Sequence, residues 1–287
     1  MAAPTGPTVR RMRLGKELET LRKQRGMTIE QVVDELGISE SQYRRVENGT
    51  SAFRKHADLT AVLGRLGVTS KDDVEFLLDM HKGSLHRGWW SPFWRTMPSG
   101  MAFYVGLEDG AVSIRAWQPH VVFGLLQTEE YARALIAAAK PVDETNTETV
   151  ERGAELRMQR KQVLTREDPL ELRVILGEAA LRNIVGSRDI MLKQYDELNR
   201  LNELDNVTIQ ILPSKEPTYR CAYDFTLMDF PDPLPVVAQM DTIDGGSSIT
   251  DKQTDIWLFS RRFEALRDGA LPVKRTPDFL HQLSREI

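Results

Sequence analysis

Apolar residues in the first 80 positions recur at helical spacing, in short runs separated by glycines. Leu14, Leu18 and Leu21 mark the inner face of a helix over residues 10–24. Ile29, Val32, Val33 and Leu36 then fall at i, i+3, i+4 and i+7, the stripe of a second short helix. Thr28 is placed to cap it, with Gln31 three residues on to complete a capping box. Gly37 supplies a turn, Ile38 a buried residue, and Ser39 a second cap followed by Gln42. In the helix after Ser39, Tyr43 and Val46 share one side, while Ser41, Arg44, Arg45 and Asn48 lie near the opposite direction. Two further stripes follow, Leu59, Val62, Leu63 and Leu66, then Val74, Leu77 and Leu78. The pattern predicts five short helices, the second and third forming a helix-turn-helix. A solvated face accounts for most paired arginines, but Arg44 and Arg45 also have the chemistry to read guanine in a major groove.

The pattern changes at residues 83–100, GSLHRGWWSPFWRTMPSG, where glycines, prolines and a Ser-Gly pair break regular structure. This stretch carries Trp89, Trp90, Phe93 and Trp94, which a free linker would not bear. They either anchor the linker onto a domain or form an aromatic site for a ligand or partner. Beyond it, strands are predicted over 113–118, 171–176, 206–212, 225–230 and 236–240. Helices are predicted over 128–139, 147–165, 187–204 and 254–267, with a last one after Pro277. The expected organisation is a disordered arm over 1–9, an all-α five-helix head over 10–82, an aromatic-rich linker over 83–100, and an α+β domain over 101–287 that regulates or dimerises the chain.

Charge modifies this picture by its distribution. The whole chain carries −4, which by itself argues against nucleic acid, yet residues 1–55 hold 11 Lys and Arg against 7 Asp and Glu. A head at +4 on a body at −8 suits a DNA reader whose second domain stays off the phosphates. A single cysteine, Cys221, excludes an internal disulfide framework and a cysteine-based zinc cluster. No apolar run approaches a membrane span, and the start MAAPTGPTV lacks the regions of a secretory signal, so a cytoplasmic protein is expected.

Particular residues extend these readings by resemblance. Leu21-Arg22, Gly26-Met27-Thr28, Leu36-Gly37-Ile38-Ser39 and Val46-Glu47-Asn48-Gly49 give residues 10–80 a resemblance to the Xre (phage-repressor-like) family of DNA-binding domains. The resemblance implies base contacts from Glu40, Ser41, Arg44 and Arg45. It implies phosphate contacts from the start of the first motif helix at Thr28, and from Asn48, Thr50, Arg54 and Lys55. The family usually has a phosphate-binding glutamine where this chain has Ile29. It also implies that Arg22 and Glu47 pair. Further on, Gly88-Trp89-Trp90, Leu107-Glu108 with Ala111, the run from Gly124 to Arg133, Gly177-Glu178-Ala179-Ala180-Leu181, and Arg262-Phe263 with Leu266 are similar to a domain of unknown function common in actinobacterial regulators, where it follows an Xre head. That family usually has proline where this chain has Phe123. The second resemblance implies a small partner protein encoded nearby.

Catalysis finds little support. His56, His81, His86, His120 and His281 show no metal-ligand spacing, and no phosphate-loop, nucleophile-elbow or zincin motif occurs. Glu178 reads as the first-turn acid of a helix. The expectation is a homodimeric, sequence-specific regulator on double-stranded DNA that is not an enzyme and has no cofactor, metal or membrane contact. Its control is expected to pass through the second domain, by the partner protein or, alternatively, by a small molecule in a pocket near the tryptophans.

Overall fold

Proline is favoured at the first turn of a helix, where its missing N–H costs nothing, and Pro7 opens the first helix here. In the computed structural model, which describes residues 6–144, 146–242 and 246–287, α1 spans Pro7–Gln24. It begins three residues before the apolar spacing predicts, because Thr8 and Val9 are buried. Of the expected arm, residues 1–5 lie outside the described residues, and residues 7–9 are helix rather than arm.

Four more helices follow: α2 (Ile29–Val33), α3 (Glu40–Glu47), α4 (His56–Arg65) and α5 (Lys71–Ser84). Their inward residues form one core of Leu14, Leu18, Val32, Val33, Ile38, Tyr43, Val46, Phe53, Leu59, Val62, Leu63, Leu66, Leu77 and Met80. Helix α2 stops at Val33, short of the predicted four-residue stripe, because Glu35 adopts φ +60°. A left-handed residue cannot continue a right-handed helix. Leu36 still packs against the core, from the turn instead of the helix. This head, with residues 6–91, 105–110 and 231–234, makes one compact unit of the chain.

The second unit comprises residues 92–104, 111–230 and 235–287, apart from the four undescribed among them. Helix α6 (Met101–Gly110) contributes its first four residues to this unit and its remainder to the head. The order then runs β1 (Ser113–Gln118), α7 (Glu129–Ala139), α8 (Thr147–Arg160), β2 (Glu171–Gly177), α9 (Glu178–Arg182), α10 (Arg188–Leu201), β3 (Val207–Leu212), β4 (Phe225–Asp229), β5 (Val237–Asp241), β6 (Ser247–Thr250), α11 (Gln253–Gly269) and α12 (Thr276–Glu286). Among the described residues the strands form a six-stranded sheet of order β3-β2-β1-β4-β5-β6. β1, β2 and β3 pair in parallel, and β4, β5 and β6 add antiparallel beyond β1. The chain is therefore an all-α helix-turn-helix head with an α+β second domain.

The two faces of the sheet differ. Trp117, Ile175, Phe225, Leu227 and Ala238 form an apolar layer with Phe259, Phe263 and Leu266 of α11. The opposite face is apolar at Ile114, Ala116 and Met228 but turns polar toward the carboxyl end of β1. The register aligns Ala116 with Thr226 and Thr226 with Gln239, so these residues share that face. Phe123, where the resembled family has proline, sits at φ −57°, the value a proline ring would impose.

Candidate nucleic-acid interface

The sequence places α3 by three means. Tyr43 and Val46 bury its inner face in the head core. Ser39 caps its start by accepting the Gln42 N–H at 3.2 Å. Its far end lies directly on α1, which has no side chain at the crossing. A Cβ on Gly15 would lie 2.5 Å from the Val46 carbonyl and 2.3 Å from that of Glu47. Just past the helix, Gly49 takes φ +68°, and a Cβ there would lie 2.7 Å from the Met12 Cα. An ion pair locks the same corner. Arg22 Nε donates to Glu47 Oε1 at 2.6 Å, Nη2 to Oε2 at 3.1 Å, and Nη1 to the Met27 carbonyl at 3.0 Å. With side chains only 15% and 7% exposed, this is a fork-to-fork bond within the fold. The Glu47 hydrogen bond, outweighing burial, raises the Arg22 pKa. Burial first, and the Glu47 carboxylate next, raise that of Tyr43.

With its inner face fixed, α3 presents Glu40, Ser41, Arg44 and Arg45 to solvent. Arg45 Nη1 donates to Ser41 Oγ at 2.8 Å, one turn back, which orients that guanidinium along the helix. Asn48 is exposed at the helix end. The following loop folds back on the helix: the Thr50 N–H and hydroxyl donate to the Arg45 carbonyl at 3.0 and 3.1 Å. Phe53 is buried as the loop's anchor, and Arg54 and Lys55 project beside it. The Phe53 carbonyl accepts from His81 Nε2 at 2.8 Å, and His81 Nδ1 lies 3.1 Å from His56 Nδ1. The carbonyl can only accept, so His81 carries its proton on Nε2, and His56 donates to its Nδ1. Burial, ahead of the His56 contribution, pushes the His81 pKa down, while the Phe53 hydrogen bond opposes it.

At the other motif helix the capping box forms. Thr28 Oγ1 accepts the Gln31 N–H at 3.2 Å, and Gln31 Oε1 accepts the Thr28 N–H at 2.8 Å. Ile29 packs against the core instead of facing out.

The aromatic stretch divides. In the head unit, Trp90 is buried and stacks edge-on with Trp89 at 5.7 Å; Trp89 Nε1 donates to Asp109 at 3.0 Å. In the second unit, Phe93 is buried beneath the Arg152 guanidinium, 4.6 Å from the ring centre. Trp94 is 64% exposed. Glu178 opens α9 paired with Arg182 and accepts the Ser214 N–H at 2.6 Å. Cys221 is a buried free thiol.

Two residues that matter here were not singled out from the sequence. Gly15 sits inside a helical pattern, where glycine costs about 1 kcal/mol relative to alanine; that local penalty is the available signal of a close approach. His81 falls among the inward residues of α5, and nothing local marks it as the clamp on a distant loop.

The short capped α2, the turn and the outward cationic α3 define a helix-turn-helix protein, the class of DNA-binding regulators. Residues 13–77 match the family described as helix-turn-helix domain, and residues 101–282 match Domain of unknown function (DUF5753). The latter match spans more than half of the chain, which belongs to the DUF5753 family. No curated protein and no solved structure matches it. Among the described residues no helix is long and apolar enough to cross a membrane.

Proposed function

We propose that this chain is a sequence-specific transcription regulator, resembling the Xre group, that reads double-stranded DNA as a homodimer. The observation that carries the reading is the exposed row of Glu40, Ser41, Arg44 and Arg45 on a helix whose opposite face is fixed in the core. In this reading those four reach base edges. Arg54 and Lys55, with Thr50 and Asn48, hold the sugar-phosphate backbone. At the α2 corner the capping box uses the Thr28 and Gln31 amides, so a phosphate there would meet the Thr28 hydroxyl. One head covers a half-site, and two placed about 34 Å apart cover a symmetric operator. A monomeric mass on the selected operator would sink the dimer.

The operator is first selected from random duplexes with the full chain. Loss of a bidentate base contact costs about 1–3 kcal/mol and relaxes one position. Loss of a phosphate contact weakens all sequences and lowers the salt slope by about one. Arg44→Ala or Arg45→Ala therefore narrows the ratio of selected to scrambled affinity, whereas Lys55→Ala leaves that ratio unchanged. If both arginine variants keep the wild-type ratio, α3 is not the reader.

Control is proposed to pass through the second domain by a small partner protein. The supporting feature is an exposed aromatic and cationic strip: Trp257 with Arg261 at 4.8 Å, Leu258, and Tyr223 with Arg262 at 5.4 Å. Trp94 is a second exposed candidate for such a partner. The alternative of small-molecule control draws on a cavity lined by none of the four linker aromatics.

A further inference from the structure

A helix packed on a sheet ordinarily turns its apolar side chains inward and its charges to water. Helix α11 does the first with Phe259, Phe263 and Leu266 but departs from the second. Its outer face carries Trp257, 59% exposed, and Leu258, while Tyr219 and Tyr223 stand exposed on the β3–β4 connection. Single exposed apolar residues need no explanation, whereas a cluster marks an interaction site.

The cations of this face are held without being neutralised. The Arg261 guanidinium stacks on the Trp257 ring at 4.8 Å, and that of Arg262 lies over the rings of Tyr223 and Phe259 at 5.4 and 5.7 Å. A guanidinium held against a ring is fixed in place without using its N–H donors. Arg262 gives one N–H to the Tyr223 hydroxyl; beyond that, neither arginine has a hydrogen-bond or carboxylate partner among the described residues. The acids of the same helix are engaged elsewhere. Glu264 and Asp268 pair with Arg267, and Asp255 accepts from the Thr250 hydroxyl at 3.0 Å. Around the helix, Leu258 falls between Arg261 and Arg262, with Trp257 beyond the first.

This charge selects the occupant. A two-fold interface with a second copy sets a patch against itself and would bring these arginines together. Residues 56–287 carry −8, which disfavours a polyphosphate. We propose that the outer face of α11 docks an acidic, apolar-anchored segment of a partner protein, an inference that rests on control by such a partner and adds the chemistry of its recognition. Carboxylates of that segment meet Arg261 and Arg262, and its apolar side chain covers Leu258 beside Trp257. Tryptophan and arginine are the side chains that most often dominate interfaces. Both arginines are already positioned, so docking costs them little freedom.

Selection of a random-peptide display library on the immobilised full chain, without DNA, tests this, followed by fluorescence-polarisation titration of the enriched peptides. Those peptides are expected to carry paired acidic residues beside an aromatic or aliphatic one, and to bind more weakly as salt rises. Arg261→Gln and Trp257→Ala should each lower the affinity by about tenfold or more, whereas Trp94→Ala should not. The proposal is overturned if no peptide is enriched, if the enriched peptides lack acidic residues, or if they bind Arg261→Gln as tightly as wild type. Loss of self-association in Arg261→Gln would assign the face to a second copy, and loss of oligothymidylate binding would assign it to nucleic acid; either overturns the proposal. A selected peptide that binds this face without changing operator affinity refutes control through this domain and still supports the docking surface. The composition of the enriched peptides needs no variant, so a misfolded substitution cannot obscure the result.

Discussion

Replacing Glu47 by alanine removes two of the three hydrogen bonds of Arg22 and leaves its guanidinium with only the Met27 carbonyl. The charge stays on a side chain 15% exposed, held by the Met27 carbonyl alone. Breaking a buried pair from one side costs about 3–5 kcal/mol, whereas exposed pairs contribute under about 1 kcal/mol. Partial access of water to Arg22 places the expected loss near the lower bound, about 3 kcal/mol. That is a large fraction of the roughly 5–15 kcal/mol that stabilises a domain. Urea titration followed by tryptophan fluorescence, to which Trp89 and Trp90 of the head unit contribute beside Trp94, Trp117 and Trp257, reads it as a shift of the head's own transition. A lowered midpoint with unchanged slope reports stability alone. The double variant Arg22→Met with Glu47→Leu should recover most of the loss, since apolar replacement of a buried pair is often neutral. If Glu47→Ala unfolds within about 0.5 kcal/mol of wild type, the reasoning about this pair is wrong.

Other outcomes follow from the same geometry. Gly15→Ala forces a methyl group into the Val46 and Glu47 carbonyls; overpacking of this kind costs about 1–3 kcal/mol, and DNA affinity should fall with head stability. His81 has a folded-state pKa below its ordinary value, so the unfolded chain binds the extra proton first. Its contribution is complete above about pH 6.5 and is lost as pH falls toward the folded pKa; melting at stepped pH should show this, and His81→Gln should flatten the dependence. Glu35→Asn should raise stability by roughly 0.5–1 kcal/mol, because asparagine tolerates the left-handed conformation better; a loss would mean that the glutamate has a role the backbone does not reveal.

The head was legible because its determinants are local. Caps, turn glycines and stripes sit within a few residues of what they control, and Thr28, Ser39 and the five helices follow from them. Where the reading failed, distant contacts decided. Helix α6 contains Gly106 and Gly110, which lower helix propensity, yet those glycines admit the side chains of Thr8 and Val9. The residues that disguise α6 are those its packing requires. Strand β6, SSIT, lacks the apolar alternation of a half-buried strand and is defined by pairing with β5. The cavity was invisible for a related reason. Its polar residues lie far apart in the sequence, from Gln118 at the end of β1 to Ser247 at the start of β6, and only the register brings those of the sheet together.

The sharing of α6 between the two units bears on the order in which a ribosome can finish them. Synthesis proceeds at about 5–20 residues per second, and N-terminal domains fold first. The five helices of the head are complete in sequence by Ser84, yet Thr8 and Val9 of α1 are covered by Gly106 and Gly110 of α6. For an interval of seconds the nascent head therefore has α3 seated but the first turn of α1 bare. The last surface of the head is closed only when the chain has already entered the next unit, so the two units are joined in the order of their making as well as by a linker.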